Sequence, residues 1–136
     1  MKSPRDLNCL HILLIVLGLQ KAVDALFSVL HPPIAYALLR VFGFDDIPTD
    51  APLHRLLTQL WGCASLAWAY VLLRGARDPR NSGIIVEGSA LGFFAVGLVA
   101  VSTPLPSVRA VGILMFVETV LLLMGRWRLA TRFTVP

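Results

Sequence analysis

Residues 83–101 read GIIVEGSALGFFAVGLVAV, a run in which Glu87 is the only charged side chain. As an α-helix rising about 1.5 Å per residue it would be close to the roughly 30 Å of a bilayer's hydrocarbon core. Working outward, three more stretches have the same character, at about 8–30, 56–73 and 110–125. The second and fourth spans read as short, so modest tilt or local thinning would accommodate them. Composition agrees. Of 136 residues, 57% are hydrophobic and 15% charged, against about 25% charged in soluble domains. The expected fold is therefore all-α: one integral membrane domain over 1–136, a four-helix bundle in a lipid bilayer.

The charges assign an orientation. Lys2 and Arg5 precede the first span, Arg74, Arg77 and Arg80 lie between the second and third, and Arg126, Arg128 and Arg132 follow the fourth. Four spans bring all three clusters to one side, which the positive-inside rule makes cytoplasmic. Asp45, Asp46 and Asp50 fall on the other side, and the third loop carries only Arg109. Both termini are expected in the cytoplasm, and the compact chain suggests a bacterial plasma membrane. The net charge of +4 is thus topological. No basic stripe interleaved with aromatics is present, and nucleic acid is not an expected partner.

The first span admits a second reading, a cleaved signal peptide with Lys2 and Arg5 as its basic start and Val23-Asp24-Ala25 as its cleavage site. Apolar character resumes at Leu26, Phe27 and Leu30, which favours a retained span. His31-Pro32-Pro33 should end that helix, because proline donates no hydrogen bond to the helical ladder. The apolar segment Ile34 to Phe42 is expected to lie along the membrane surface as a short helix ended by Gly43. The acidic turn 45–50 reads as a solvated loop with too few ordered ligands for a cation.

Ionisable residues inside spans need a partner or a wet cavity. In the first span Gln20, Asp24, Ser28 and His31 share a helical face, and Lys21, three residues from Asp24, is placed to pair with it. Lys21 beside Asp24 would oppose the binding of a cation there. In the second span Arg55, Gln59, Gly62 and Cys63 make another face, with His54 beside Arg55. Matching depths predict a binding cluster of Lys21, Asp24, Arg55 and Gln59 with His54 or His31, including an Asp24–Arg55 ion pair. Glu87 is expected in the first turn of the third span, where the helix dipole favours a carboxylate, with Arg77 or Arg80 as partner. Glu118, near the middle of the fourth span, must be protonated, paired or hydrated, and joins the binding candidates.

Helix packing is expected at Gly88 and Gly92, a G-x-x-x-G in the third span, and at Ser65-x-x-x-Ala69 in the second, with Gly62 and Ala64 extending the small surface. The Gly88–Gly92 contact is expected inside the bundle. Trp127 reads as an interfacial anchor beside Arg126 and Arg128; Trp61 and Trp68, seven apart, read as packing residues. Cys9 and Cys63 form no C-x-x-C pair, and no Walker, Rossmann, H-E-x-x-H or G-x-S-x-G motif occurs. His11, His31 and His54 make no ligand pair. No cofactor and no metal are expected.

The second span, Arg55-Leu-Leu-Thr-Gln-Leu-Trp-Gly62, places an arginine and then a glycine at the outer start of a helix. With the compact four-span layout, it resembles the DoxX-like proteins and the ergosterol-biosynthesis tetraspan scaffold. That resemblance covers most of the chain and implies a scaffold, accessory or lipid-associated role; Lys21 and Asp24 in the first span depart from it. Three functions compete. The first is a non-enzymatic accessory or scaffold subunit that binds a membrane-protein partner or a second copy. The second is a membrane enzyme acting on a lipid or isoprenoid-like ligand by general acid–base chemistry, with Asp24, His54 and Glu118 as catalytic candidates. The third is a small proton-coupled transporter.

Overall fold

The computed structural model describes residues 4–46, 52–79 and 81–130. Lys2, Asp50, Arg80 and Arg132 lie outside the described residues, as does the side chain of Arg5. Five helices follow in order: α1 (Pro4–Leu30), α2 (Pro32–Val41), α3 (Pro52–Arg77), α4 (Gly83–Val101) and α5 (Pro106–Ala130). Strands are absent among the described residues. Helices α1, α3, α4 and α5 are long and apolar enough to cross a membrane, and the chain is an all-α four-helix membrane bundle. In lipid a spanning segment must satisfy its own backbone hydrogen bonds, and a helix does so.

The 83–101 span coincides with α4. The second and fourth spans are longer than the sequence reading had them, with helices of 26 and 25 residues. Arginines and polar residues flank both apolar runs, and a helix continues through them because the backbone needs no apolar side chain to stay helical. Neither span requires a thinned bilayer.

Between α1 and α3 the chain turns at His31. Pro32 and Pro33 occupy the first positions of α2, where the missing N–H costs nothing. Gly43 closes α2 with φ +84°; its amide donates to the Arg40 carbonyl at 2.8 Å and that of Phe44 to the Leu39 carbonyl at 3.1 Å. This is a left-handed glycine cap. Helix α2 buries Tyr36 and exposes Leu38 and Val41, with Phe42 exposed just beyond it, a disposition suited to lying on a membrane surface.

The bundle is two antiparallel pairs, α1 with α3 and α4 with α5, joined by a lighter seam. Glycines set the close approaches. A Cβ at Gly18 would meet Leu73, and one at Gly62 would meet Val29 at 2.6 Å and Ser28 at 2.9 Å. Val29 is eleven residues beyond Gly18 and Leu73 eleven beyond Gly62, so one antiparallel register serves both contacts. Between α4 and α5 the close approach is Gly97 against Gly112: a Cβ at Gly112 would lie 2.9 Å from the Gly97 carbonyl oxygen.

The G-x-x-x-G expectation is corrected in part. Gly92 packs against Trp68, with a would-be Cβ at 3.0 Å, whereas Gly88 has nothing within 4 Å. Gly88 and Gly92 differ in orientation by about 40° on a 3.6-residue helix, and Trp68 reaches only one of them. Ala64 is also exposed, while Ser65 and Ala69 are buried as expected.

The apolar core lies toward the end that carries the described chain termini, with Leu10, Leu14 and Leu17 of α1 against Leu72, Phe93, Met115 and Leu122. Polar side chains replace it beyond Leu17. Lipid competes with apolar packing in a bilayer, so association depends on close van der Waals contact. Gly112→Ala, which pushes a methyl group into backbone, should lower bundle stability by about 1–3 kcal/mol. Gly88→Ala should change it by less than about 0.5 kcal/mol. Thermal melts of both variants in one detergent check the pair of outcomes.

Candidate functional site

At mid-bundle Lys21 of α1 and Glu118 of α5 are almost fully buried, with side chains 2% exposed. The Lys21 ammonium lies 2.8 Å from Glu118 Oε2 and donates a hydrogen bond to Oε1 at 3.0 Å. Gln20 Nε2 donates to the same Oε1 at 2.7 Å. Oε2 therefore has the charge contact and no hydrogen-bond donor of its own. The ammonium also sits 4.9 Å over the Phe93 ring centroid of α4 and 3.9 Å from the Met115 sulfur. Burying two charges together is tolerable because each cancels the other's field, whereas removing one strands its partner.

Asp24, one turn further along α1 and partly exposed, faces α3. Its Oδ2 accepts hydrogen bonds from Trp61 Nε1 at 2.8 Å and Ser65 Oγ at 2.6 Å. Its Oδ1 has only the long contact from Ser28 Oγ at 3.5 Å. Aromatic rings link the two carboxylate sites. Trp61 and Trp68 meet edge to face with centroids 6.2 Å apart, and Trp68 meets Phe93 likewise at 4.8 Å.

These contacts correct four expectations. Lys21 pairs with Glu118, not with its neighbour Asp24, because burial between α1 and α5 offers it the deeper carboxylate. Arg55 is exposed and makes no ion pair with Asp24; it lies more than two turns nearer the start of α3 than Ser65 does. Glu87 sits beyond the first turn of α4, where Arg126 Nε reaches its Oε1 at 3.3 Å across the pair. The predicted cluster of Lys21, Asp24, Arg55 and Gln59 divides accordingly: Lys21 and Asp24 belong to adjoining sites, while Gln59 is partly buried outside both.

His54 is separate again. Its Nδ1 is buried without a partner, and its carbonyl accepts from Thr58 at 2.8 Å, which in turn meets the Tyr36 hydroxyl at 2.8 Å. His31 is exposed, and His11 Nδ1 lies 2.6 Å from the Ala76 carbonyl oxygen. Thr119 hydrogen-bonds the Met115 carbonyl at 2.8 Å and the Ala90 carbonyl at 3.3 Å, not Glu118. Among the described residues no group of three or more metal-ligating side chains occurs. The catalytic candidates Asp24, His54 and Glu118 thus occupy three environments and do not converge.

Sequence reasoning missed the role of Gln20, placed on the Asp24 face but bonded to Glu118, and the indole donor of Trp61, read as packing. It also gave Asp46 no partner; residues 47–50 of the acidic turn lie outside the described residues. Asp46 Oδ2 accepts from the Ser107 amide at 3.1 Å and the Ser107 hydroxyl at 2.9 Å, tying Asp46 to the first residues of α5. Burial pushes the Asp46 carboxyl up, but the Ser107 amide and hydroxyl and its own backbone amide outweigh this and hold it below the ordinary value of 3.8. No family model, no curated protein and no solved structure matches the chain.

Two outcomes follow from these geometries. Lys21→Met or Glu118→Leu alone should cost about 3–5 kcal/mol by stranding a charge, and the double variant should be more stable than either; a double-mutant cycle of unfolding in mild detergent measures the coupling. The Asp46 contribution should be fully present above pH 3.8 and fade as the pH falls through the lower folded value, since a depressed carboxyl stabilises the fold only while ionised. Asp46→Asn should flatten that acid limb in melts taken across the same range.

Proposed function

We propose that this chain is a non-enzymatic accessory or scaffold subunit, residing in a bacterial plasma membrane with both termini in the cytoplasm. The observation that carries the reading is the outer face of α4. Gly88 lies open there, flanked by Ile84 at 87% and Leu91 at 70% exposure, with Ala95 exposed a further turn along. A glycine facing outward lets another helix approach the backbone closely, the condition for van der Waals association in lipid. The expected partner is an apolar transmembrane helix of another membrane protein. The resemblance to DoxX-like proteins and the ergosterol-biosynthesis tetraspan scaffold accords with such a role.

The orientation is supported by the charges. Arg74 and Arg77 end α3 and Arg126 and Arg128 lie near the end of α5, all at the end where α1 starts, while Asp45 and Asp46 lie at the other. An enzyme using Asp24, His54 and Glu118 together is disfavoured by their separation. A proton-coupled transporter is the second reading, favoured by the ionisable pair at mid-depth. Flux that depends on a pH gradient and disappears in a Glu118→Gln chain whose melt shows it still folded would select it.

Gentle purification from native membrane followed by mass spectrometry tests the first reading. A stoichiometric membrane-protein partner should co-purify with the native chain and be lost from Gly88→Leu, whose melting behaviour should match the native chain's. A partner retained by Gly88→Leu would remove the α4 face from the proposal.

A further inference from the structure

Among the described residues, the middle of the bundle holds three ionisable groups, and only two of them are paired. Lys21 and Glu118 cancel each other at 2.8 Å. Asp24 has no cation within ion-pair reach; the other described ion pair, Arg126 with Glu87, is on a different part of the bundle. The groups facing Asp24 from α3, Trp61 and Ser65, are uncharged donors, and so is Ser28 on its own helix. Asp24 thus has no cationic partner in a layer where ionisable groups need one. The Lys21 ammonium, expected to oppose a cation at Asp24, is itself paired with Glu118.

We propose that Asp24, Trp61 and Trp68 form a binding site for a monovalent organic cation with an apolar body, such as a protonated hydrophobic amine. Oδ2 of Asp24 already receives both short donors, and Oδ1, reached only by Ser28 at 3.5 Å, is the acceptor left for a ligand. The remaining wall is aromatic. A calcium or magnesium ion asks for about six or more oxygens, which this lining lacks, while an organic cation is attracted by indole faces and tolerates an apolar surround. The same wall holds a cation at its far end, where the Lys21 ammonium lies 4.9 Å over Phe93, and Phe93 continues through Trp68 to Trp61. Asp24, Trp61 and Trp68 are each partly exposed, so each presents some surface to a ligand. A neutral ligand of the same shape would gain the apolar contacts but leave the carboxylate uncompensated.

The experiment titrates tetraphenylphosphonium into the full chain in nanodiscs of zwitterionic lipid and reads tryptophan fluorescence. Trp127→Phe serves as background, leaving Trp61 and Trp68 as the only tryptophans of the three. Saturable quenching is expected, weakened about tenfold or more, the equivalent of about 1.4 kcal/mol, in Asp24→Asn. Glu87→Gln and the partner-face variant Gly88→Leu should leave the titration unchanged, so this site and the scaffold reading fail separately. Asp24→Glu, which keeps the charge, should bind more tightly than Asp24→Asn. Should Asp24→Asn not fold, the comparison with neutral triphenylphosphine oxide on the native site decides, the cation being expected to bind at least tenfold more tightly. Equal binding of the neutral compound, unsaturable quenching, or undiminished binding by folded Asp24→Asn would each overturn the proposal. So would an emission that responds to pH through Asp24 while no phosphonium binds, which would make the site one for protons alone.

Discussion

An ammonium and a carboxylate held 2.8 Å apart in the middle of an apolar bundle constrain the elements around them. Neither charge is tolerable alone in that layer, so α1 and α5 must remain at a depth and rotation that keep Lys21 facing Glu118. The two helices belong to different pairs. The contact therefore adds a directed, charged link between α1/α3 and α4/α5 to the apolar core that already spans both pairs. Gln20 and Phe93 complete it by supplying a directed donor to the carboxylate and an electron-rich face to the ammonium.

The seam divides the bundle into unlike halves. Toward the end carrying the described termini, leucines and small residues pack as an apolar core. Beyond Lys21, Asp24, Ser28, Ser65 and Trp61 build contacts from hydrogen bonds. Gly62 brings α3 close enough to α1 for Ser65 and Trp61 to reach the Asp24 carboxylate. At the far end, Asp46 holds the loop after α2 to the first residues of α5, a contact between segments sixty residues apart in the chain.

Two features remain uncompensated within this arrangement: the open glycine on α4 and the single excess carboxylate at Asp24. The first concerns the outer surface and the second the interior wall, and they use different residues. A scaffold that also takes up a hydrophobic cation is physically consistent, since occupying Asp24 touches neither Gly88 nor the Lys21–Glu118 pair. The exposed apolar side of α2, with Val41 at 81% exposure and Phe42 just beyond it at 75%, is a further surface that neither feature uses.

Much of the fold was legible in the chain because a bilayer imposes a coarse rule: length and apolarity locate a span, prolines and Gly43 locate its breaks, and arginines mark one side. Span ends were less legible, since a helix runs on through Arg74 and Arg126 once its backbone bonds are made. For the site, sequence identified Lys21, Asp24 and Glu118 as residues requiring partners but gave Asp24 to Lys21 and Arg55 and left Glu118 without one. Periodicity along one helix shows which residues share a face and says nothing about which distant helix that face meets. Asp24 is three residues from Lys21, yet Glu118, ninety-seven positions away, holds the ammonium. Gly88 and Gly92 look equivalent in a motif, and only the position of Trp68 separates them. Apolar run lengths alone were enough to specify a four-span helical membrane protein, because hydrocarbon excludes unpaired backbone. Tertiary structure alone decided the charge partners, the unpaired carboxylate and the open face, because those depend on the relative rotation and register of helices packed in three dimensions.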